Sequence, residues 1–179
     1  PRAIFYRTQH GFDHLEVGIA VPVQRMVQSE ISGVLFTVEP TSSDHGRMVI
    51  EAAYGLGEAL VSGEVTPDLY VVAKEKLRVL EVKLNPQEWE LKREAGSSDG
   101  YTKVPLSPSQ REAQKLTESQ IRLLADLGVK IEELYGTPQD IEWAMDGEGV
   151  FIVQSRPITA LKDKGWEELT EPDAPLLAQ

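Results

Sequence analysis

The chain has 179 residues, of which 41% are hydrophobic, and it carries a formal net charge of −11 at pH 7. This acidity argues against a general binder of nucleic acids or anionic membranes, because those partners attract Lys and Arg. The sequence contains no run of about 18 apolar residues, so no membrane span is predicted. It contains no cysteine, which excludes disulfides and thiolate chemistry and fits a reducing cytoplasm. Such a length suits one globular domain, and the first residue, Pro1, suggests a processed chain or a piece of a longer protein.

Strand signals dominate the first half of the chain. Segments rich in β-branched residues predict strands at residues 17–27, 31–38, 48–53, 69–73 and 77–84, and residues 89–92 are expected to continue the same sheet. A glycine-rich turn at Gly55 and Gly57 leads through Glu58 into a short predicted helix at residues 59–63. The first sixteen residues show no clear period, and residues 95–100 are small and polar, which indicates a loop.

A helical period follows. Ser107 and Pro108 predict a helix start, and Gly136 predicts its end. The apolar stripe of this helix comprises Leu116, Leu124, Leu127, Ile131 and Leu134. Gly128 interrupts it and is expected to weaken the helix by roughly 1 kcal/mol relative to alanine.

Two last strands, residues 140–145 and 149–154, flank the hairpin turn signal Asp146-Gly147. Residues two apart on a strand share a face. Asp140 and Glu142 are therefore expected on one face of the first strand, and Gln154 and Arg156 on one face of the second. Burying these four groups without partners is costly. One interpretation places Mg²⁺ and a polyphosphate between them, since carboxylate and amide oxygens suit a hard cation and Arg suits phosphate. The other is an exposed edge hairpin in which Glu142 and Arg156 form a structural ion pair.

The segments YGTPQDIEWA and VFIVQSRP resemble the end of the nucleotide-binding domain in the phosphoenolpyruvate synthase and pyruvate phosphate dikinase family. Upstream, SGVLFT, EAAYGLGE and VSGEVTPD resemble the same family in the same order, so the likeness covers most of residues 3–160. It implies an α+β fold: an ATP-grasp-like lobe over residues 1–160, with a mixed or antiparallel sheet and helices packed on one face. Residues 161–179 are then a linker toward a phosphohistidine domain that lies outside this chain. No P-loop pattern is present, which excludes a Walker-type site.

The resemblance also implies ATP and Mg²⁺ as cofactors. By motif position, Glu142 and Gln154 match the metal and phosphate ligands, and Arg156 matches the arginine that contacts the phosphates. Glu142 and Arg156 are therefore the catalytic candidates. Asp140 matches a nearby acid with a supporting role.

Two further segments have alternative interpretations. Gln24, Arg25, Met26 and Val27 resemble the connecting strand whose backbone meets the adenine edge, but the residues alone favour a plain core strand. Glu58 lies near metal or ribose in the family-based interpretation, or it simply stabilises a helix N-terminus.

For the whole enzyme, the resemblance implies conversion of ATP, pyruvate and water into phosphoenolpyruvate, AMP and phosphate through a phosphorylated histidine. His10, His14 and His45 match no carrier motif, so the carrier, the pyruvate site and the first ATP-grasp lobe are expected elsewhere. This chain alone is expected to be inactive and to bind ATP weakly. Alternatives are the same lobe of a rifamycin-type antibiotic phosphotransferase, a non-catalytic module that binds a nucleotide or partner, or a purely structural domain.

Overall fold

The computed structural model describes residues 2–18, 20–94 and 100–158. The helices are α1 (Arg2–Gln9), α2 (Glu58–Val61), α3 (Pro108–Arg111) and α4 (Glu118–Tyr135), with one 3₁₀ turn at Glu75–Leu77. The strands are β1 (Ile31–Phe36), β2 (Arg47–Tyr54), β3 (Asp68–Ala73), β4 (Arg78–Lys83), β5 (Trp89–Arg93), β6 (Tyr101–Pro105), β7 (Gln139–Asp146) and β8 (Gly149–Pro157). None of the helices in these ranges has the length and apolarity needed to cross a membrane.

Six strands form one antiparallel sheet in the order β4-β3-β2-β1-β7-β8. Central strand β1 pairs with β2 on one side and with β7 on the other. The β7–β8 hairpin, at the end of the described residues, is thereby joined to the strands from the first half of the chain. The predicted α+β fold, with an antiparallel sheet and helical packing on one face, is confirmed.

The hydrophobic core lies between this sheet and α4. Alternate strand residues, including Leu35, Ile50 and Trp143, are buried against Leu124 and its neighbours on α4. Strand side chains alternate between faces, so the residues between these positions point to the opposite face of the sheet. We call that face the open face; it carries the polar hairpin residues described below.

Gly128 has a packing role that the helix pattern does not show. A Cβ at Gly128 would lie 2.9 Å from Leu35 Cδ2 and 3.3 Å from Met48 Sδ. The missing side chain therefore lets α4 approach the sheet closely. The cost of glycine in the helix is offset by packing, so alanine at this position would not simply strengthen the helix.

A buried ion pair ties β3 to the segment before α4. The Lys115 ammonium lies 2.7 Å from Asp68 Oδ1, and both side chains have no exposed surface. Asp68 also accepts from the Tyr70 hydroxyl (3.0 Å) and from the backbone N–H groups of Asn85 and Lys115. Burial raises the pKa of Tyr70 well above its ordinary value. Every polar group in this cluster has a partner, as a buried charge requires.

Two expectations for the N-terminal part were wrong. Residues 17–18 and 20–27 form no strand, and all of the described residues in this segment except Val27 are exposed. A β-rich composition yields a strand only where a partner strand completes the hydrogen bonds, and Pro22 lacks a donor. The segment that was expected to be irregular instead contains α1, none of whose residues is buried.

Three expectations for the middle of the chain also fail. Strand β5 does not extend the main sheet but pairs with β6 in a separate two-stranded sheet. The single predicted helix is two helices, because Thr117 starts α4 anew: its hydroxyl accepts from the Gln120 N–H, and the Gln120 side chain returns to the Thr117 N–H. Leu134, placed on the buried stripe, is exposed. Most of the predicted loop at residues 95–100 and the predicted linker at 161–179 lie outside the described residues.

Candidate functional site

The β7–β8 hairpin brings together the four polar residues of the predicted site. Asp140 lies opposite Arg156, and Glu142 lies opposite Gln154. At the turn, the Glu148 N–H donates to Asp146 Oδ1 at 2.8 Å, which confirms the predicted hairpin. Since Ile141 and Trp143 are buried toward α4, Asp140, Glu142 and their partners point to the open face.

A bulge decides which face Gln154 and Arg156 occupy. Ile152 pairs with Trp143 and packs against the core, whereas Gln154 already pairs with Glu142, so Val153 is an extra residue in β8. Simple alternation from Ile152 would point Gln154 and Arg156 toward the core. The bulge shifts the alternation by one residue and turns both side chains to the open face.

Arg156 pairs with Asp140 on this face. Its Nε and Nη2 atoms lie 2.9 and 2.7 Å from Asp140 Oδ2. The hydrogen bond from Arg156 to Asp140 and the Asp140 charge raise the pKa of the guanidinium, with a smaller contribution from Glu142. The pairing of Glu142 with Arg156, expected for a purely structural hairpin, is therefore wrong. The register of β7 and β8 sets Gln154 opposite Glu142 and Arg156 opposite Asp140.

Glu142 is half-buried and has no hydrogen bond or ion pair within the described ranges. Its partner across the strand pair, Gln154, is exposed and offers an amide oxygen on the same face. A carboxylate and an amide oxygen suit a hard cation that takes its remaining ligands from phosphate and water. These two oxygens fit Mg²⁺ only when phosphate and water supply the remaining ligands. No group of three or more His, Asp or Glu side chains in the described part of the chain is arranged to hold a metal by itself.

Glu51 is a third acidic residue on the open face, and the sequence reasoning missed it. Val34 of β1 pairs with Glu51 on one side and with Glu142 on the other, so one strand separates the two acids. Burial raises the pKa of Glu51, and the Asp140 charge raises it further. The available signal was an acid between apolar residues of a predicted strand, at the start of EAAYGLGE.

Replacing Glu51 with glutamine is expected to stabilise the protein at neutral pH. The pKa of Glu51 is raised in the folded state, so its ionisation opposes folding. The contribution of the protonated group is complete below the ordinary pKa of 4.5 and is lost as pH rises through the folded-state pKa. The Glu51→Gln variant should therefore show a higher free energy of unfolding than the parent at pH 7.5, and little difference near pH 4.

Urea unfolding at the two pH values measures this effect. Glu133→Gln, on the exposed side of α4, is the matched control because it removes one carboxylate without changing the open face. A Glu51→Gln variant no more stable than the parent at pH 7.5 would contradict the electrostatic description of this face.

Glu58 follows a turn whose first residue, Gly55, has to be glycine. Gly55 has φ of +84°, and a Cβ there would lie 2.6 Å from the Leu91 carbonyl oxygen. The Gly55 carbonyl accepts from the hydroxyls of Ser29 (3.0 Å) and Ser32 (2.7 Å). The exposed Glu58 carboxylate accepts from the Tyr101 hydroxyl at 3.2 Å. Within the described ranges, no hydrogen bond or ion pair joins Glu58 to the four hairpin residues.

The segment Gln24 to Val27 runs beside β8 although it is not a strand. The Gln24 amide nitrogen lies 3.4 Å from the carbonyl oxygen of Val153, the bulge residue. Arg25 lies 3.9 Å from Glu148 at the hairpin turn. The structure thus brings Gln24 and Arg25 to the hairpin. Met26 is exposed and Val27 is half-buried.

Comparison with known proteins identifies the family of this chain. Residues 1–174 match the family model described as pyruvate phosphate dikinase, AMP/ATP-binding domain. The chain is 48% identical over 174 residues to a probable phosphoenolpyruvate synthase of Archaeoglobus fulgidus, covering 96% of this chain and 23% of that protein. It is 46% identical over 176 residues to the phosphoenolpyruvate synthase of Pyrococcus furiosus, covering 95% and 22%.

A rifampicin phosphotransferase of Bacillus cereus is 44% identical over 162 residues, covering 89% of this chain and 18% of that protein. The chain therefore spans less than a quarter of the length of these relatives. The family model covers nearly the whole chain, and the relatives match it at more than 40% identity. This chain belongs to the pyruvate phosphate dikinase AMP/ATP-binding domain family.

Proposed function

We propose that this chain is the lobe that binds ATP and Mg²⁺ in a larger enzyme of the phosphoenolpyruvate synthase type. The whole protein would convert ATP, pyruvate and water into phosphoenolpyruvate, AMP and phosphate. A carrier histidine outside this chain would take the phosphoryl group, and the first ATP-grasp lobe and the pyruvate site would also lie outside it. The observation that carries the proposal is the joint placement of Asp140, Glu142, Gln154 and Arg156 on the open face.

Each hairpin residue has a role in this proposal. Glu142 and Gln154 offer oxygen ligands to Mg²⁺ bound to the polyphosphate, and the cation would neutralise phosphate charge during transfer. Arg156 donates to phosphate oxygens and stabilises the charge that develops there. Asp140 acts through Arg156, because its carboxylate holds the guanidinium nitrogens Nε and Nη2 on this face.

The adenine and ribose contacts are assigned to two neighbouring segments. Residues Gln24, Arg25, Met26 and Val27 would meet the adenine edge through their backbone. Their backbone groups make no backbone hydrogen bonds within the described ranges, so the N–H and C=O groups are available to a base. Glu58 would contact the ribose or the metal, since its carboxylate is exposed.

A second candidate is the same lobe in an enzyme that phosphorylates a rifamycin antibiotic. The observation in its favour is the 44% identity to a rifampicin phosphotransferase over 162 residues. Both candidates use the same nucleotide chemistry and differ in the acceptor. ATP consumption by the full-length protein with pyruvate or with rifampicin as the added acceptor separates them.

Loss of Glu142 tests the metal role. In the full-length protein, Glu142→Gln is expected to raise the Mg²⁺ concentration needed for half-maximal ATP consumption by at least about tenfold. The control is Glu148→Gln, which removes an exposed acid from the turn of the same hairpin. An unchanged Mg²⁺ dependence in a folded Glu142→Gln protein would show that Glu142 is not a metal ligand.

A further inference from the structure

The two-stranded sheet of β5 and β6 is attached to the turn that precedes Glu58. Gly55 pairs with Leu91 of β5 as a short parallel bridge, and the Leu56 N–H donates to the Leu91 carbonyl at 2.9 Å. The buried Gln87 side chain, just before β5, bonds both the N–H and the carbonyl of Tyr54 at 2.9 and 3.0 Å. Backbone and buried amide bonds therefore hold β5 directly against the glycine turn.

Strand β6 contacts two acids of the α2 region, Glu58 at the start of α2 and Glu64 just beyond its end. Tyr101 and Lys103 are two residues apart on β6 and so share a face. The Tyr101 hydroxyl donates to Glu58 Oε1 at 3.2 Å, at the start of α2. The Lys103 ammonium pairs with Glu64 at 2.5 Å, just beyond α2, and lies 4.1 Å from the centre of the Trp89 ring. One strand thus contacts both ends of the segment that presents Glu58.

We propose that Tyr101 is a positioning residue for Glu58, and that this residue of β6 is thereby part of the nucleotide site. This inference rests on the proposed contact of Glu58 with ATP. An exposed glutamate samples many rotamers, and ordering it during binding costs affinity. The Tyr101 hydroxyl holds the carboxylate beforehand, on an element that is itself fixed to the Gly55 turn. The inference takes the ribose as the contact of Glu58. The ribose contains no reacting atom, so this preorganisation acts on ATP binding and leaves the chemical step unchanged.

Steady-state kinetics of the full-length protein test the inference. Tyr101→Phe, which removes the hydroxyl that donates to Glu58 and keeps the ring, is expected to raise the KM for ATP roughly threefold to tenfold, with kcat little changed. Glu58→Gln should raise KM at least as much. The double variant should be no worse than Glu58→Gln alone, because in this inference the hydroxyl affects ATP binding through Glu58. Lys103→Met, which breaks the other contact between β6 and the α2 region, is the control and should leave KM unchanged.

The outcomes separate this inference from the function on which it rests. A raised KM in Glu58→Gln with an unchanged KM in Tyr101→Phe would overturn the positioning role alone. Additive effects in the double variant, or an equal rise in Lys103→Met, would overturn it as well. An unchanged KM in Glu58→Gln would remove Glu58 from the ATP site together with this inference, while the roles of Glu142 and Arg156 are tested by their own variants.

Discussion

Replacing Arg156 with alanine in the full-length protein is expected to lower the rate of ATP consumption by about a thousandfold or more. The guanidinium is the basic group that the β7–β8 hairpin presents on the open face, beside the proposed metal ligands Glu142 and Gln154. In phosphoryl transfer, catalysis comes mainly from positioning and from stabilising charge on the phosphate oxygens. Loss of such a donor therefore lowers kcat as well as ATP affinity.

Two further variants separate this role from a structural ion pair. Arg156→Lys should recover only part of the activity, because an ammonium cannot reproduce the forked donors of arginine. Asp140→Asn should reduce activity less than Arg156→Ala, about tenfold, because Asp140 only orients the guanidinium. The Arg156 side chain is 62% exposed, and solvent-exposed ion pairs contribute little to stability, so both Arg156 variants should unfold at close to the same urea concentration as the parent.

Opposite results would support the structural interpretation. If Arg156→Ala consumed ATP at the parental rate while remaining folded, the open face would not be the nucleotide site. If Asp140→Asn were as damaging as Arg156→Ala, Asp140 would have to contact the nucleotide or metal itself. Initial rates at several ATP concentrations, with circular dichroism as a folding check, distinguish these cases.

The largest expected effect on stability comes from Asp68. Asp68→Ala should lower the free energy of unfolding by about 3–5 kcal/mol, because it leaves the Lys115 ammonium buried without a counter-charge. It also removes the acceptor for the Tyr70 hydroxyl and for the N–H groups of Asn85 and Lys115. Urea unfolding followed by circular dichroism measures the change.

Asp126→Ala provides a matched control for Asp68→Ala. Asp126 and Lys130 form an ion pair on α4 at 2.6 Å, close to the 2.7 Å of Asp68 and Lys115, but both side chains are substantially exposed. Its loss should cost no more than about 1 kcal/mol. Similar losses in the two variants would contradict the argument that burial, not the length of the ion pair, sets the cost.

The Asp68 cluster also clarifies one of the sequence motifs. Asp68 ends the segment VSGEVTPD, which resembles the family, yet its carboxylate is buried and fully occupied by Lys115, Tyr70 and backbone donors. We infer that this aspartate supports the sheet and the start of the α4 region. This motif thus ends on a stabilising residue, whereas the site candidate Glu58 ends the preceding motif, EAAYGLGE.

Local patterns in the sequence determined much of the fold. The Asp146-Gly147 turn signal correctly predicts the last hairpin, because a tight turn of this kind is specified by its own residues. Runs of β-branched residues correctly predict strands β1, β2 and β3, because each of these segments has a partner strand: β1 pairs with β2, and β2 pairs with β3. Residues 17–18 and 20–27 have the same composition but no partner strand, so the same pattern was wrong there.

The sequence by itself determined the hairpin and the grouping of Asp140 with Glu142 and of Gln154 with Arg156, because these depend on residues close together along the chain. The family resemblance of its motifs supplied the α+β class. Only the tertiary structure decided that all four share one face, since that depends on the extra residue Val153 and on the pairing of β7 with β8. It also decided that Asp140, rather than Glu142, holds Arg156. Glu51 joins them across Val34 for the same reason: sheet order, set by packing against α4, brings distant segments side by side.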